Sequence, residues 1–169
     1  MSDTYRTSVR IEAPPRTVFD YLVDPDLIVR WMGDWADLDP VAGGKLAVDI
    51  NGVPIRGEFL VVEPPHRVVF TWGAAGSDVL APGSSTVEIR LRADGADGAA
   101  TVVELAHRDL PPTELDQHGI GWGHFLARLV VAGTGADPGP DPWQLAGPAA
   151  APTRSTPTRS TPASGTSRG

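Results

Sequence analysis

The chain has 169 residues, of which 41% are hydrophobic, so it is long enough to bury a core and is predicted to form one soluble globular domain. No segment approaches the roughly 18 apolar residues of a membrane-spanning helix, and there is no cysteine for a disulfide or a thiolate metal site. Residues 146–169 hold three arginines and no acid, so the rest of the chain combines 11 basic with 21 acidic side chains, a formal charge of −10. Such a charge repels phosphate backbones, and no nucleic-acid partner is expected.

The N-terminal sequence MSDTYRTSVRIEAPP lacks the charged and then apolar pattern of a signal peptide, so a cytoplasmic protein is expected. Within it, Thr7, Val9 and Ile11 alternate with polar residues at the period of a half-buried strand. The two prolines that follow suit the start of a helix, and Asp24-Pro25 divides that helical segment in two. The chain therefore begins with a strand and two short helices.

Five strand-like segments come next, separated by turn signals such as Asn51-Gly52 and Pro64-Pro65. They are GKLAVDI, IRGEFLVVE, HRVVFTW, STVEIRL and ATVVELAHR. The connections are too short for crossover helices, so they predict antiparallel hairpins.

The last apolar segment has helical period, with one stripe containing Leu115, His118, Trp122, Phe125, Leu126 and Leu129. Gly119, Gly121 and Gly123 interrupt this helix, and each is expected to cost about 1 kcal/mol relative to alanine. One interpretation is that the glycines beside Trp122 let the helix settle close to the sheet while the indole fills the space between. The alternative is compositional drift on a helix that packing already stabilises.

After the helix the composition changes abruptly. Residues 146–169 contain the tandem repeat TRSTP and are rich in proline, serine and threonine. Such a segment buries too little surface to offset the entropy of ordering. The sequence thus predicts one domain over 1–145 and a disordered tail over 146–169.

Three segments, in order and at their spacing, carry a family resemblance: APPRTVFDYLVDPDLIVRWM, PPHRVVFTWG and GWGHFLARL. They resemble the activator-of-heat-shock-protein-90-ATPase-like branch of the START-like (SRPBCC) superfamily. The resemblance implies an α+β helix-grip fold, in which a curved antiparallel sheet wraps around the long C-terminal helix and leaves a cavity between them. It also implies that Trp31 lies near the cavity mouth. It does not fix the reaction, because such folds host several functions.

Strand parity gives the candidate lining of that cavity. Inward rows are predicted at Leu46, Val48 and Ile50, at Val68, Phe70 and Trp72, at Val87, Ile89 and Leu91, and at Val103, Leu105 and His107. Glu58 shares parity with Leu60 and Val62 and is a candidate inward carboxylate, but the opposite parity, with Phe59 inward, is equally compatible with the pattern. For every apolar position, plain core packing is the alternative to ligand contact.

The polar candidates are His107, on an apolar strand face, and His118, one helical turn before Trp122. Each is a candidate hydrogen-bond or acid/base group, or a structural histidine with satisfied partners. The ligand-binding set is therefore Trp31, Glu58, Leu60, Phe70, Trp72, His107, His118, Trp122, Phe125 and Leu126.

Other chemistry lacks the required motifs. The histidines do not have zinc-ligand spacing, and the sequence has no dinucleotide-binding loop, phosphate-binding loop or nucleophile elbow. No metal and no cofactor are expected.

Three functions fit these observations. The first is a carrier or sensor of a small hydrophobic molecule held in the cavity. The second is an enzyme of the cyclase or dehydratase type that uses His107, His118 or Glu58 in the same cavity. The third is a cochaperone-like interaction module with a chaperone as partner, and a homodimer stays open in all three.

Overall fold

A seven-stranded antiparallel sheet dominates the computed structural model, which describes residues 3–143. The predicted tail and the domain boundary at 145 lie outside the described residues. The strands are β1 (Asp3–Ile11), β2 (Trp35–Leu38), β3 (Lys45–Ile50), β4 (Val53–Glu63), β5 (Arg67–Trp72), β6 (Ser85–Asp94) and β7 (Ala100–Leu110). They pair in the order β1-β7-β6-β5-β4-β3-β2, so β1 and β2 are the edges of the sheet.

Three α-helices with defined bounds accompany the sheet in the described range. Helices α1 (Pro15–Val23) and α2 (Pro25–Ile28) follow β1, and α3 (Leu115–Ala132) follows β7. Both short helices have proline in the first turn, and Asp24 caps α2 by accepting a hydrogen bond from the Asp26 backbone N–H. The helix-grip fold implied by the resemblance is confirmed.

The sequence pattern did not predict β2. Its residues, Trp35–Leu38, pair with Asp49–Leu46 of β3 at the edge of the sheet. This strand is only four residues long, and its exposed and half-buried side chains give no alternation of burial, so hydrophobic periodicity could not reveal it.

The core lies between the inner face of the sheet and the helices. The predicted inward rows on β5, β6 and β7 are buried, as are Leu46 and Val48 on β3. Helix α3 buries Trp122, Phe125, Leu126, Leu129 and Ala132 against them. Inward parity on these strands is therefore confirmed, and the sheet and α3 share one continuous apolar cluster.

The outer face of the sheet carries an ion-pair network around Glu88. Arg67 and Arg108 each donate a hydrogen bond to its carboxylate, at 2.6 and 2.7 Å, and Arg90 lies 3.0 Å away. Burial alone would raise the pKa of Glu88, but the hydrogen bonds from Arg67 and Arg108 outweigh it and the pKa is lowered. A concavity of about 460 Å³ on this face is lined by Arg6, Glu88, Arg90 and Glu104, among others, and the last three are engaged in ion pairs.

Among residues 3–143, no helix is long and apolar enough to cross a membrane.

Candidate functional site

A cavity of about 750 Å³ lies between the first half of α3 and the sheet. Its other walls come from the tip of the β3–β4 hairpin and from the loop between β5 and β6. Exposed Val53 and Ile120 are part of its lining, so it opens to solvent. The lining residues are Met32, Ile50, Asn51, Val53, Ile55, Trp72, Ala74, Ser77, Leu80, Thr113, Glu114, Asp116, Gln117, His118, Ile120, Gly121, Trp122, Phe125 and Trp143.

The local sequence explains how the hairpin tip reaches the cavity. Ile50 pairs with Val53, and the two residues between them, Asn51 and Gly52, have φ values of 51° and 80°. Positive φ at both central positions is the geometry of a type I′ turn, which Asn-Gly favours. The Ala75 backbone N–H then donates to the Pro54 carbonyl at 2.9 Å, which connects the hairpin to the β5–β6 loop.

Aromatic side chains form much of the wall. The Trp72 and Trp122 ring centroids are 5.2 Å apart, and Phe125 meets Trp143 edge to face at 5.7 Å. Such tilted and edge-on contacts are the favourable arrangements for aromatic rings. The cavity therefore offers broad, rigid apolar surfaces to a bound molecule.

A chain of hydrogen bonds stands behind this wall and is centred on His107. The Trp122 indole N–H donates to His107 Nδ1 at 3.0 Å, so Nδ1 carries no proton and Nε2 carries it. His107 Nε2 then donates to Ser85 Oγ at 2.8 Å, and Ser85 donates to the Trp72 carbonyl at 2.7 Å. The tautomer of His107 is thus fixed by its partners.

His107 is consequently a structural residue. Its side chain is fully buried, and burial, with a smaller contribution from nearby His118, lowers its pKa to about 3. Both ring nitrogens are occupied and the imidazole is neutral at physiological pH. It positions Trp122 and does not contribute to the cavity lining.

His118 differs from His107 because it lines the cavity. Its Nδ1–H donates to the Glu114 carbonyl one helical turn earlier, at 2.9 Å, and the Glu114 carboxylate lies 3.5 Å from the same nitrogen. With Nδ1 protonated, the neutral ring carries its lone pair on Nε2. Nε2 has no hydrogen-bond partner in the described part of the chain.

Two buried polar atoms of the lining residues also lack partners among residues 3–143. They are the indole N–H of Trp72, whose side chain is only 5% exposed, and the side-chain oxygen of Asn51. A buried polar group without a partner costs about 1–3 kcal/mol. Both atoms are shielded from solvent, so they lie behind the cavity surface and are not presented to a molecule bound in it.

The segment after α3 completes the cavity through Trp143. His124 hydrogen-bonds the buried carboxylate of Asp141 at 2.8 Å and stacks on the Trp143 indole with ring centroids 3.7 Å apart. Arg128 donates to the Gly139 carbonyl at 2.9 Å. Polar contacts from α3 thus fix the indole in its place.

Four of the ten predicted site residues line the cavity: Trp72, His118, Trp122 and Phe125. The structure places the other six elsewhere. Phe70, His107 and Leu126 are buried in the core behind the cavity, with Phe70 packed edge to face on Phe59 at 6.1 Å.

The inward orientation considered for Glu58 and Leu60 is wrong. Leu60 is 43% exposed and Glu58 is also exposed, whereas Phe59 is fully buried. Turning Phe59 inward removes an aromatic ring from water and leaves the carboxylate solvated, which is the favourable choice. The alternative parity, with Phe59 inward, is correct.

The expectation that Trp31 lies at the cavity mouth is also wrong. Its side chain is 1% exposed, and its indole N–H donates to the Tyr21 carbonyl at 2.9 Å. That hydrogen bond connects the segment after α2 to α1. The next residue, Met32, lines the cavity instead.

The glycines of α3 have different surroundings. A Cβ at Gly119 would come within 3.0 Å of the Tyr5 ring, so this glycine does allow a close approach to the sheet. At Gly121 and Gly123 a Cβ would meet nothing within 4 Å, and close packing beside Trp122 is therefore not their role. Gly121 lines the cavity, where the missing side chain leaves space.

Hydrophobic periodicity did not predict the parts of the lining that lie outside the strands and α3. Asn51, Ser77 and Leu80 lie in turns or irregular segments, and Trp143 is one of only two described helical residues after α3; hydrophobic periodicity carries no information over such short stretches. The Asn51-Gly52 turn signal located the hairpin tip but not what it would face.

No group of three or more His, Asp or Glu side chains in the described range is arranged to hold a metal ion.

Comparison with known proteins identifies the family. Residues 12–133 match the family described as Activator of Hsp90 ATPase homolog 1-like protein. The chain belongs to this AHSA1 family. The match spans α1 to the end of α3, so it includes six of the seven strands, all but β1, and most of the cavity lining. Among the curated proteins, none matches the chain.

Solved structures agree with the family. The AHSA1-like protein RHE_CH02687 from Rhizobium etli is 40% identical, with a TM-score of 0.66, over 85% of this chain and 89% of that chain. CalU16 from Micromonospora echinospora is 30% identical, with a TM-score of 0.68, over 83% and 70%. DynU16, a protein in the dynemicin biosynthetic locus, is 27% identical, with a TM-score of 0.67, over 80% of this chain and 49% of its own. The present chain therefore spans about half of DynU16.

Proposed function

We propose that this AHSA1-family protein binds a small hydrophobic molecule in the cavity beside α3, as a carrier or sensor. The observation that carries the proposal is the aromatic cavity of about 750 Å³, whose lining combines apolar side chains with polar ones such as His118. Concave apolar sites with a few polar groups are the usual form of small-molecule sites. The apolar walls provide affinity, and His118 Nε2, which has no partner among residues 3–143, orients a ligand that donates a hydrogen bond.

The buried position and the hydrogen bonds of His107 favour a binding function over a catalytic one. A general acid or base must exchange a proton with the reacting atom, and the buried, neutral His107 is committed through both nitrogens to Trp122 and Ser85. Of the acid/base candidates that the sequence offers, Glu58 is turned to solvent. Of the three candidates, only His118 lines the cavity.

Nile red, a neutral dye that fluoresces in apolar surroundings, tests the proposal. We expect it to bind and to quench tryptophan emission, and we expect Trp122→Ala to weaken its binding about tenfold because an indole wall is lost. Trp35→Ala is the control, because Trp35 lies on the edge strand, 46% exposed and outside the cavity lining. Equal effects of the two variants, with both folded by circular dichroism, would contradict a binding site beside α3.

A second candidate, a cyclase- or dehydratase-type enzyme, is favoured by one observation. The Glu114 carbonyl fixes the His118 tautomer, which leaves the Nε2 lone pair available as a base at the cavity wall. The neighbours CalU16 and DynU16, the latter from a biosynthetic locus, make this candidate relevant.

Hydrogen–deuterium exchange of β-tetralone, an apolar ketone with acidic C–H groups, separates the two candidates. A positioned base contributes about 10²–10⁴-fold to such a proton transfer. The carrier proposal predicts the same exchange rate, by NMR, with the wild type and with His118→Gln. Exchange that is at least about a hundredfold faster with the wild type, and unchanged in the control His66→Gln, would establish the enzyme instead.

A further inference from the structure

We infer that the cavity selects an apolar ligand that carries a protonated amine and disfavours the corresponding carboxylate. The inference rests on the proposed function, since it specifies the charge of the molecule bound at the same site. Its basis is an imbalance of charge along the cavity lining, combined with the aromatic character of the walls.

The lining carries negative charge at one end. Glu114 and Asp116, at the beginning of α3, both contribute to it, whereas none of the lining residues in the described part of the chain is lysine or arginine. Glu114 is only 23% exposed at its side chain and lies 3.5 Å from His118. A carboxylate ligand would meet like charge here without a compensating cation.

The N-terminus of α3 does not reverse this preference. An α-helix places the equivalent of about half a positive charge at its N-terminus, which by itself would favour an anion. Glu114 and Asp116 flank that same terminus and together carry two negative charges. The net field at this end of the cavity is therefore negative.

The aromatic walls add to the preference for a cation. The faces of indole rings are negative, so an ammonium group is attracted to them, and more strongly where water is displaced. Trp72, Trp122 and Trp143 all line the cavity. An amine-bearing ligand would keep its ammonium group within reach of a ring face while pointing it toward Glu114 and Asp116, and its apolar body would fill the rest of the cavity.

The charge of the whole domain acts in the same direction at longer range. A formal charge of −10 over residues 1–145 slows the approach of anions and accelerates that of cations. This effect is screened within about 8–10 Å at physiological salt, so it influences encounter, whereas the two local carboxylates influence the bound state.

A matched probe series tests the inference by displacement of Nile red. Naphthylmethylammonium, naphthylmethanol and naphthoate share an apolar body and differ in charge. We expect affinity to fall in that order, with about a tenfold difference between the cation and the anion. The double variant Glu114→Gln/Asp116→Asn should reduce this difference to about twofold.

The control is the double variant Glu12→Gln/Glu104→Gln, which removes two exposed carboxylates outside the cavity lining and should keep the tenfold preference. Equal affinity of the three probes, or a preference for naphthoate, would overturn the inference while leaving apolar binding intact. If both double variants lose the preference for the cation equally, the net charge of the domain causes that preference, and its assignment to Glu114 and Asp116 is wrong. If neither Nile red nor naphthylmethanol binds, the proposed function itself fails.

Discussion

Replacing His107 with alanine is expected to lower the free energy of unfolding by about 4 kcal/mol. The change removes a fully buried ring, leaves a void, leaves the Trp122 indole N–H without its acceptor and removes the hydrogen bond that Ser85 Oγ accepts. Voids in cores and unpaired buried donors each destabilise by about 1–3 kcal/mol or more. Urea denaturation of the variant measures this, with His66→Ala, at an exposed turn position, as the matched histidine control.

The same residue should make stability depend on pH. The pKa of His107 is lowered from 6.5 to about 3 in the native protein. Between these two pH values the imidazole of His107 is therefore protonated in the unfolded chain and neutral in the native protein. The contribution of the neutral His107 to the free energy of unfolding is constant above pH 6.5. It is lost as the pH falls toward 3, at up to about 1.4 kcal/mol per pH unit. His107→Gln should flatten the decline between pH 6 and pH 4, whereas His66→Gln should not. Parallel curves for the wild type and His107→Gln would contradict a buried neutral imidazole.

The sequence predicted the sheet well because its inner face is regular. On β5, β6 and β7 the predicted inward rows hold apolar residues at every position but His107, and all nine positions are buried. Periodicity of two is a direct consequence of strand geometry, so such strands reveal their buried face. The buried face of helix α3 was also predicted well, since its stripe contains four of the five residues that the structure buries, all but Ala132.

Residue parity does not give the orientation of a strand in which two alternating apolar patterns are possible. In IRGEFLVVE, either Leu60 and Val62 or Phe59 and Val61 give an alternation, and a register shift between Phe59 and Val61 breaks the regular pairing with β5. Only the packing of Phe59 on Phe70 decides the orientation. That contact joins different strands and cannot be seen in either segment alone.

Only some of the cavity-lining residues could be predicted, because contacts between distant segments also decide which buried residues face the cavity. Residues on regular elements, such as Trp72 and Trp122, followed from periodicity, but their separation into cavity wall and solid core did not. Phe70 and Trp72 share one face of β5, yet only Trp72 lines the cavity. Whether space remains beside a buried side chain depends on the loops that cover it, and here those loops are the Asn51 turn and the segment ending at Trp143.

Filling that space from α3 should abolish binding. A Cβ at Gly121 meets nothing within 4 Å, and Gly121 lines the cavity, so Gly121→Trp places an indole in the ligand's position without a backbone clash. Removing a helical glycine also removes a penalty of about 1 kcal/mol or less. We expect the variant to melt at or above the wild-type temperature while its affinity for Nile red falls at least about tenfold.

Gly123→Trp is the matched control. It lies two residues along the same helix, its Cβ also meets open space, and it is exposed and outside the cavity lining. A Nile red titration of the wild type, Gly121→Trp and Gly123→Trp is therefore the most direct measurement of a ligand cavity beside α3. We expect the wild type and Gly123→Trp to bind Nile red tightly and Gly121→Trp alone to lose this binding. Undiminished binding by a folded Gly121→Trp would contradict it.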